Sequence, residues 1–291
     1  MIWQTSRFQI DLTSPRVMGI VNTTPDSFSD GGKFYRPDGS MLGIFERCAQ
    51  LVEEGVDILD IGGESTRPGA APVSLEDELE RVLPVVKHAV RLGVPVSVDT
   101  YKPQVMQAVL DIGADIINDI WALRHVGAHE VVSAHPNCGV CLMHMHREPT
   151  TMQVLPMDGN VPEQVLDFLR KAAAQLEALG VDASRIVLDP GIGFGKTVAQ
   201  NFALLARQRD LLEAGYPVLA GWSRKSSLAA IINDSLASVA KLDIADRMVP
   251  SVAAAVLAID RGARVVRVHD VRETVQALKI WRAATPAGTA P

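Results

Sequence analysis

Apolar residues fall along the chain in short blocks of two kinds. Continuous aliphatic runs recur at 17–21, 57–61, 94–98, 115–118, 139–143, 185–188, 217–220 and 264–268. A strand buried on both faces reads as an unbroken run of this sort. Between most of them the apolar positions take helical spacing, at 41–54, 74–92, 102–112, 161–179, 201–214, 252–261 and 273–282. Such spacing gives a helix one apolar stripe. Glycine ends several of these stretches, at Gly55, Gly93, Gly113, Gly180, Gly215 and Gly262. A glycine just past a helix accepts the left-handed backbone of the C-cap. Pro84 lies within 74–92, so a kink or a later start is expected there. Residues 2–11 read as a small hairpin. Eight strands alternating with helices predict α/β architecture: a single-domain (β/α)8 TIM barrel over residues 1–291, with the short N-terminal hairpin. The competing fold is an open doubly wound sheet. Its Gly-rich first turn is not matched by Asn22-Thr23-Thr24-Pro25.

A barrel of this kind collects its functional groups where strands end and loops begin. Here the strand ends read Asn22; Gly62-Gly63-Glu64; Asp99-Thr100; Asn118-Asp119; His144; Asp189-Pro190; Ser223-Arg224-Lys225; and His269-Asp270. Nearly every one is polar or ionisable. The first is followed by the polar loop 23–32, longer than the usual connection of about 2–6 residues. Loops are polar in any case, but polar groups at all eight ends favour a working site.

Composition narrows the classes without naming a chemistry. The 291 residues are 47% hydrophobic, 21% charged and 5% aromatic, with a formal net charge of −6. That suits a globular protein with a large aliphatic core. It gives no sign of nucleic-acid or membrane-surface affinity. An anionic substrate must therefore be drawn by local basic residues. No run approaches the ~18 apolar residues of a membrane span, and the first residues carry no basic-then-apolar leader pattern. A cytoplasmic location is expected. The cysteines are Cys48, Cys138 and Cys141. An odd, low count argues against a disulfide framework. Cys138 and Cys141 match C-x-x-C, with His135, His144 and His146 nearby, so zinc or redox chemistry has to be weighed. It is the weaker reading, since strand residues three apart point to opposite faces and no second pair exists.

Two stretches carry candidate chemistry. Residues 189–197, DPGIGFGKT, resemble a phosphate loop and fail its test, because Pro190 stands where the pattern needs glycine. The glycines are expected to let the backbone approach a flat ligand beside Asp189. A strand-end carboxylate accepts two parallel N–H bonds from an amidine-like edge; the alternative for Asp189 is a helix N-cap. Arg267 and His269 are two apart, hence on one face of a strand. With Asn22, Lys225 and Ser65-Thr66-Arg67 they make an anion site plausible. Ordinary ion pairing is the alternative for Arg267 and Arg224. No serine–histidine–acid triad or tight metal cluster is evident.

Taken in order, VMGIVNTTPDSFSDGG, DILDIGGESTRPGA, VSVDTYKPQV, IINDI, CLMHMHREPTTMQ, IVLDPGIGFGKT, LAGWSRKSSL and VVRVHDVRET resemble the dihydropteroate synthase family of pterin-binding enzymes. The resemblance runs from about residue 17 to about residue 274. It implies a (β/α)8 barrel, a homodimer, and a transferase of folate biosynthesis that is the target of sulfonamides. It also implies the reaction: 6-hydroxymethyl-7,8-dihydropterin diphosphate joined to para-aminobenzoate, with Mg²⁺, to give 7,8-dihydropteroate and pyrophosphate.

By the same resemblance Asp99, Asn118, Asp189 and Lys225 would hold the pterin, Met143 and Phe194 would line its pocket, and Arg267 would stack over the ring. Asn22, Arg267 and His269 would bind diphosphate, Asn22 as the Mg²⁺ ligand. Phe28, Thr66, Arg67, Pro68 and Ser223 would form the para-aminobenzoate subsite. Asp26, Asp99, Lys225 and His269 would be catalytic, with Asp26 stabilising a transient cation after loss of diphosphate. The alternatives are a pterin-binding barrel serving a corrinoid methyltransferase and a non-catalytic paralogue. Both are disfavoured by the motifs at 23–32 and 65–69, and by the presence of Asp99, Asp189, Lys225 and His269. The chain departs from the family at His146-Arg147-Glu148, where Gln-Gly is usual. It departs again at Met248-Val249-Pro250, where Leu-x-Gly is common, and the connection 233–246 is variable.

Overall fold

The computed structural model describes residues 1–24, 41–65, 70–148, 152, 154–235 and 242–285. Two short strands come first, β1 (Ile2–Gln4) and β2 (Gln9–Asp11), paired antiparallel with Trp3 opposite Ile10. Eight parallel strands follow: β3 (Arg16–Asn22), β4 (Ile58–Gly62), β5 (Val96–Asp99), β6 (Ile116–Asp119), β7 (Gly139–Met143), β8 (Ile186–Asp189), β9 (Val218–Ala220) and β10 (Ala263–Val268). They close in the order β10-β3-β4-β5-β6-β7-β8-β9. The outer layer comprises α1 (Leu42–Glu53), α2 (Leu75–Ala89), α3 (Pro103–Asp111), α4 (Ala128–Ala134), α5 (Val161–Ala178), α6 (Val198–Ala206), α7 (Gln208–Leu211), α8 (Ser226–Ser235), α9 (Met248–Asp260) and α10 (Val271–Ala284). The expected barrel and hairpin are both present.

Local chemistry explains several of the boundaries. Ser74 caps α2 by accepting the Asp77 N–H at 3.1 Å. Thr197 and Gln200 form a reciprocal capping box on α6. Pro103 opens α3 at a position where its missing N–H costs nothing. All six glycines read as helix stops take positive φ, from 77° at Gly93 to 100° at Gly113. Two expectations need correction. Pro84 neither delays nor ends α2, which runs from Leu75 to Ala89. The stretch 201–214 is a composite of α6, α7 and one turn of 3₁₀ helix.

Strand alternation sorts the side chains into two cores. Leu59, Ile61, Val96, Val98, Val140, Leu142, Ile186 and Val266 face outward into the helices. Met18, Ile58, Ile116, Cys141, Val187, Leu219 and Val265 form a second cluster with Trp3, Ile10 and Leu12 of the hairpin. The hairpin therefore plugs the N-terminal end of the barrel. Trp3 is fully buried there, and its Nε1–H donates to the Arg185 carbonyl at 2.9 Å. Arg7 anchors the hairpin turn, its Nε donating to the buried Asp115 carboxylate at 3.1 Å. Cys138 belongs to the outer core and Cys141 to the inner one, so the C-x-x-C thiols face opposite sides of β7, as the spacing predicts.

Candidate active site

Two residues further along the inward faces, the chemistry changes. Ile20, Asp60, Asn118, Met143, Asp189, Gly221 and Arg267 succeed the apolar ring at this level. Two more along, Asn22, Gly62, Ser223 and His269 stand at the mouth. A cavity of about 540 Å³ opens there. Pairing of the strands sets Asn22 beside Gly62, Gly62 beside Asp99, and Asp99 beside Asn118.

Arg267 is the centre of the charge network. Its Nε lies 2.6 Å from Asp60 Oδ2 and its Nη2 2.7 Å from Asp99 Oδ2. Asn118 Nδ2 adds a longer contact of 3.3 Å to Asp60 Oδ2. Burial opposes the guanidinium charge, but the two carboxylates outweigh it and hold Arg267 above its ordinary range. Asp99 is pushed up to about 7, first by burial and then by the neighbouring carboxylates of Asp60, Glu78 and Asp119, against the pull of Arg267. Burial also raises Asp189, although the Gly191 N–H donates to it at 2.7 Å and Lys225 is near. Lys225 Nζ sits 4.2 Å over the Phe194 ring, a cation–π contact. Ser223 Oγ lies 2.9 Å from His269 Nδ1 and accepts the His269 backbone N–H at 3.1 Å. The hydroxyl thus fixes both the ring and the backbone of that histidine.

The sequence of the chain matches the family model described as "Pterin binding enzyme" over residues 18–269. A dihydropteroate synthase of Neisseria meningitidis serogroup B is 46% identical over 286 residues, covering 97% of each chain. The chain belongs to the dihydropteroate synthase family. As a member of that family it is a transferase. Among solved structures, the Yersinia pestis dihydropteroate synthase with a sulfonamide drug complex superposes with a TM-score of 0.89 at 40% identity, covering 98% of this chain and 99% of that one. The Burkholderia cenocepacia dihydropteroate synthase complexed with 7,8-dihydropteroate gives a TM-score of 0.84 at 46% identity, with 97% and 96% covered.

Of the residues that the likeness to dihydropteroate synthases picks out, Asn22, Asp99, Asn118, Met143, Asp189 and Phe194 line the one cavity. So do Ser223, Lys225, Arg267 and His269. Asp26, Phe28, Thr66, Arg67 and Pro68 lie outside the described residues. The N-cap alternative for Asp189 does not hold: Thr197 caps α6, and Asp189 closes a tight turn onto Gly191. Two other polar strand ends, Asp119 and His144, serve structure. Asp119 accepts the N–H groups of Trp121 and Leu123 at 2.7 and 2.8 Å. His144 turns away from the cavity, with Nδ1 2.9 Å from the buried Lys196 Nζ. Burial, then Lys196, push its pKa down to about 2, which keeps it neutral.

The glycines of 189–197 also have a packing use within the chain. A Cβ on Gly191 would stand 1.9 Å from the His144 carbonyl oxygen, and one on Gly195 would stand 2.6 Å from the His146 Cβ. These glycines let the loop pack on the end of β7, while Gly193 leaves room for Lys225. Asp60 is the member of the charge network around Arg267 that strand-end reading overlooks. It is fully buried within β4, and its signal is period-two spacing to Gly62.

Proposed function

We propose that the chain condenses 6-hydroxymethyl-7,8-dihydropterin diphosphate with para-aminobenzoate, giving 7,8-dihydropteroate and pyrophosphate. The observation that carries this reading is the convergence of Asp99, Asn118 and Asp189 with Lys225, Arg267 and His269 on one cavity. Hydrogen-bonding groups for a fused heterocycle and cations for a diphosphate share a single site. The relative bound to 7,8-dihydropteroate supports the product.

On this reading Asp189 and Asn118 hold the amino edge of the pterin. Lys225 meets its carbonyl and N5 region, between the ring and Phe194. The CH₂–O bond breaks with its electron pair leaving on the diphosphate, before the amine nitrogen bonds to carbon. That order asks for charge stabilisation more than for a strong base. Arg267 and His269 receive the departing anion, and Ser223 keeps the His269 ring aimed. Carboxylates nearby, Asp99 among them, favour the transient cation. The aniline nitrogen is already neutral and nucleophilic, and it sheds its proton after attack.

Mg²⁺ fits this site in a limited way. Among the described residues no cluster of three or more His, Cys, Asp or Glu could cage a metal. Mg²⁺ commonly takes only one or two protein ligands beside substrate phosphates. Asn22 at the cavity mouth would supply its amide oxygen, and the ion would neutralise diphosphate charge. Asp26, Phe28, Thr66, Arg67 and Pro68 keep the roles implied by the resemblance, and the homodimer belongs to the same reading. No helix among the described residues is long and apolar enough to cross a membrane.

The test is a coupled assay of pyrophosphate release. Release that requires both the pterin diphosphate and para-aminobenzoate is expected, stimulated by Mg²⁺. Release at the same rate without the amine, or none with both substrates, would reject the reading.

A further inference from the structure

The end of β9 passes into α8 through Ser223, Arg224 and Lys225, and all three line the cavity. The middle residue is left-handed, with φ 57°. Residues with a Cβ seldom adopt that conformation unless their surroundings impose it. Here both backbone polar groups of Arg224 are held from the start of α9. Its N–H donates to Ser251 Oγ at 2.8 Å. Its carbonyl accepts from Arg247 Nη1 at 3.0 Å. Ser251 is buried, and its hydroxyl proton goes to the Arg247 carbonyl. The three residues form a closed set of hydrogen bonds.

The Arg224 side chain explains why a glycine does not stand there. Its guanidinium donates to Asp270 at 2.7 and 3.3 Å, on the residue that follows His269. Glycine would take the left-handed backbone freely and lose that brace. Arg224 therefore joins the ends of β9 and β10, held through its main chain on one side and its side chain on the other. A rotation at its φ would turn Ser223 and Lys225 relative to each other.

We propose that Arg247 and Ser251 are positioning residues for this cavity. Together they hold Arg224 left-handed, and that conformation sets Lys225 over Phe194 and Ser223 against His269. The proposal rests on the reading of the cavity as a pterin diphosphate site.

The test uses the full chain and four variants: Ser251→Ala, Ser251→Thr, Arg224→Gly, and Ser251→Ala combined with Arg224→Gly. KM for dihydropterin diphosphate, kcat and melting temperature are measured for each. Ser251→Ala is expected to raise KM about tenfold, the worth of one buried hydrogen bond, with little change in melting temperature. Ser251→Thr, which keeps Oγ, should return KM to near the wild-type value. In the Arg224→Gly background the same Ser251→Ala change should cost much less, because glycine holds the turn unaided. An unchanged KM in Ser251→Ala overturns the proposal. So does an equal cost in both backgrounds. Should Ser251→Ala not fold, Ser251→Cys takes its place in the same comparison, since a thiol is a weak acceptor of nearly the same size and Ser251 lies outside the cavity lining. The underlying reading fails in a different way, and the proposal with it, if the wild-type chain has no turnover and does not bind a pterin analogue.

Discussion

The two ends of the barrel interior are built on the same strands with the same alternation, and they do opposite things. At the lower end Met18, Ile58, Ile116, Cys141, Val187, Leu219 and Val265 close over Trp3 and Leu12 of the hairpin. One step up, Asp60, Asn118, Asp189 and Arg267 occupy the corresponding faces. The lower ring gains from excluding water. The upper ring loses by it, since buried charges are costly unless paired, and Arg267 between Asp60 and Asp99 is how that cost is met. Stability and chemistry are thus separated along one axis by about 6–7 Å, two residues of strand.

The sharpest way to break this division is at the plug. Trp3→Ala should cost about 3–5 kcal/mol, the usual loss for a buried tryptophan, read from urea unfolding. KM for the pterin diphosphate should hold; a large rise in KM for a still-folded variant would show that the ends are not separable. Asp189→Asn should do the reverse. Pterin-analogue affinity should fall by about a hundredfold, the scale of a charged hydrogen-bonded contact, with the urea midpoint little changed. Near-normal affinity in that variant, by calorimetry, would remove Asp189 from the site. Asp60→Asn should weaken affinity less, because Asp60 acts through Arg267 and Asn118.

Acidity probes the upper ring more gently. With Asp99 at about 7, the carboxyl is protonated below that pH and charged above it. Its ordinary value is lower, so the unfolded chain sheds this proton first, and the stability it contributes falls as pH rises towards 7. Pterin affinity should move the other way, rising between about pH 6 and pH 8 as the carboxylate forms. Asp99→Asn should flatten the affinity trend and lessen the stability trend, of which Asp119, also pushed up to about 7 by burial, keeps a share; an unaltered affinity profile in that variant would assign it to another group. The smallest effect is expected outside both rings. Arg147 is left-handed, with φ 61°, a conformation that glycine takes freely. Arg147→Gly should stabilise the chain by about 1 kcal/mol and leave turnover unchanged, as measured by thermal melting and the coupled assay.

Most of the upper ring was legible from sequence because strand ends are marked by the change from aliphatic to polar residues. Asn22, Asp99, Asn118, Asp189 and His269 stand at that change. Arg267 was found through its spacing from His269. Asp60 was not, because it interrupts an apolar run two residues before the run ends, and only counting faces separates it from Ile61. Asp119 and His144 sit at strand ends too, yet one faces its own turn and the other Lys196. Polarity marks the end of a strand but not the side to which a side chain turns. The helices α4 and α8 carry weaker local signals: α4 has only seven residues, and α8 starts straight after a polar strand end. Ser251, and Arg247 beside it in the cavity lining, hold Arg224 through tertiary contacts, which no local pattern encodes.

The indole at the base of the barrel also governs traffic. Among the described residues, Trp3 and Leu12 seal the far end, and the cavity opens at the strand ends. On the proposed reading, the group that settles against Asp189 would have to enter before the one that rests above it and leave after it, so order of arrival and departure would follow from depth: last in, first out.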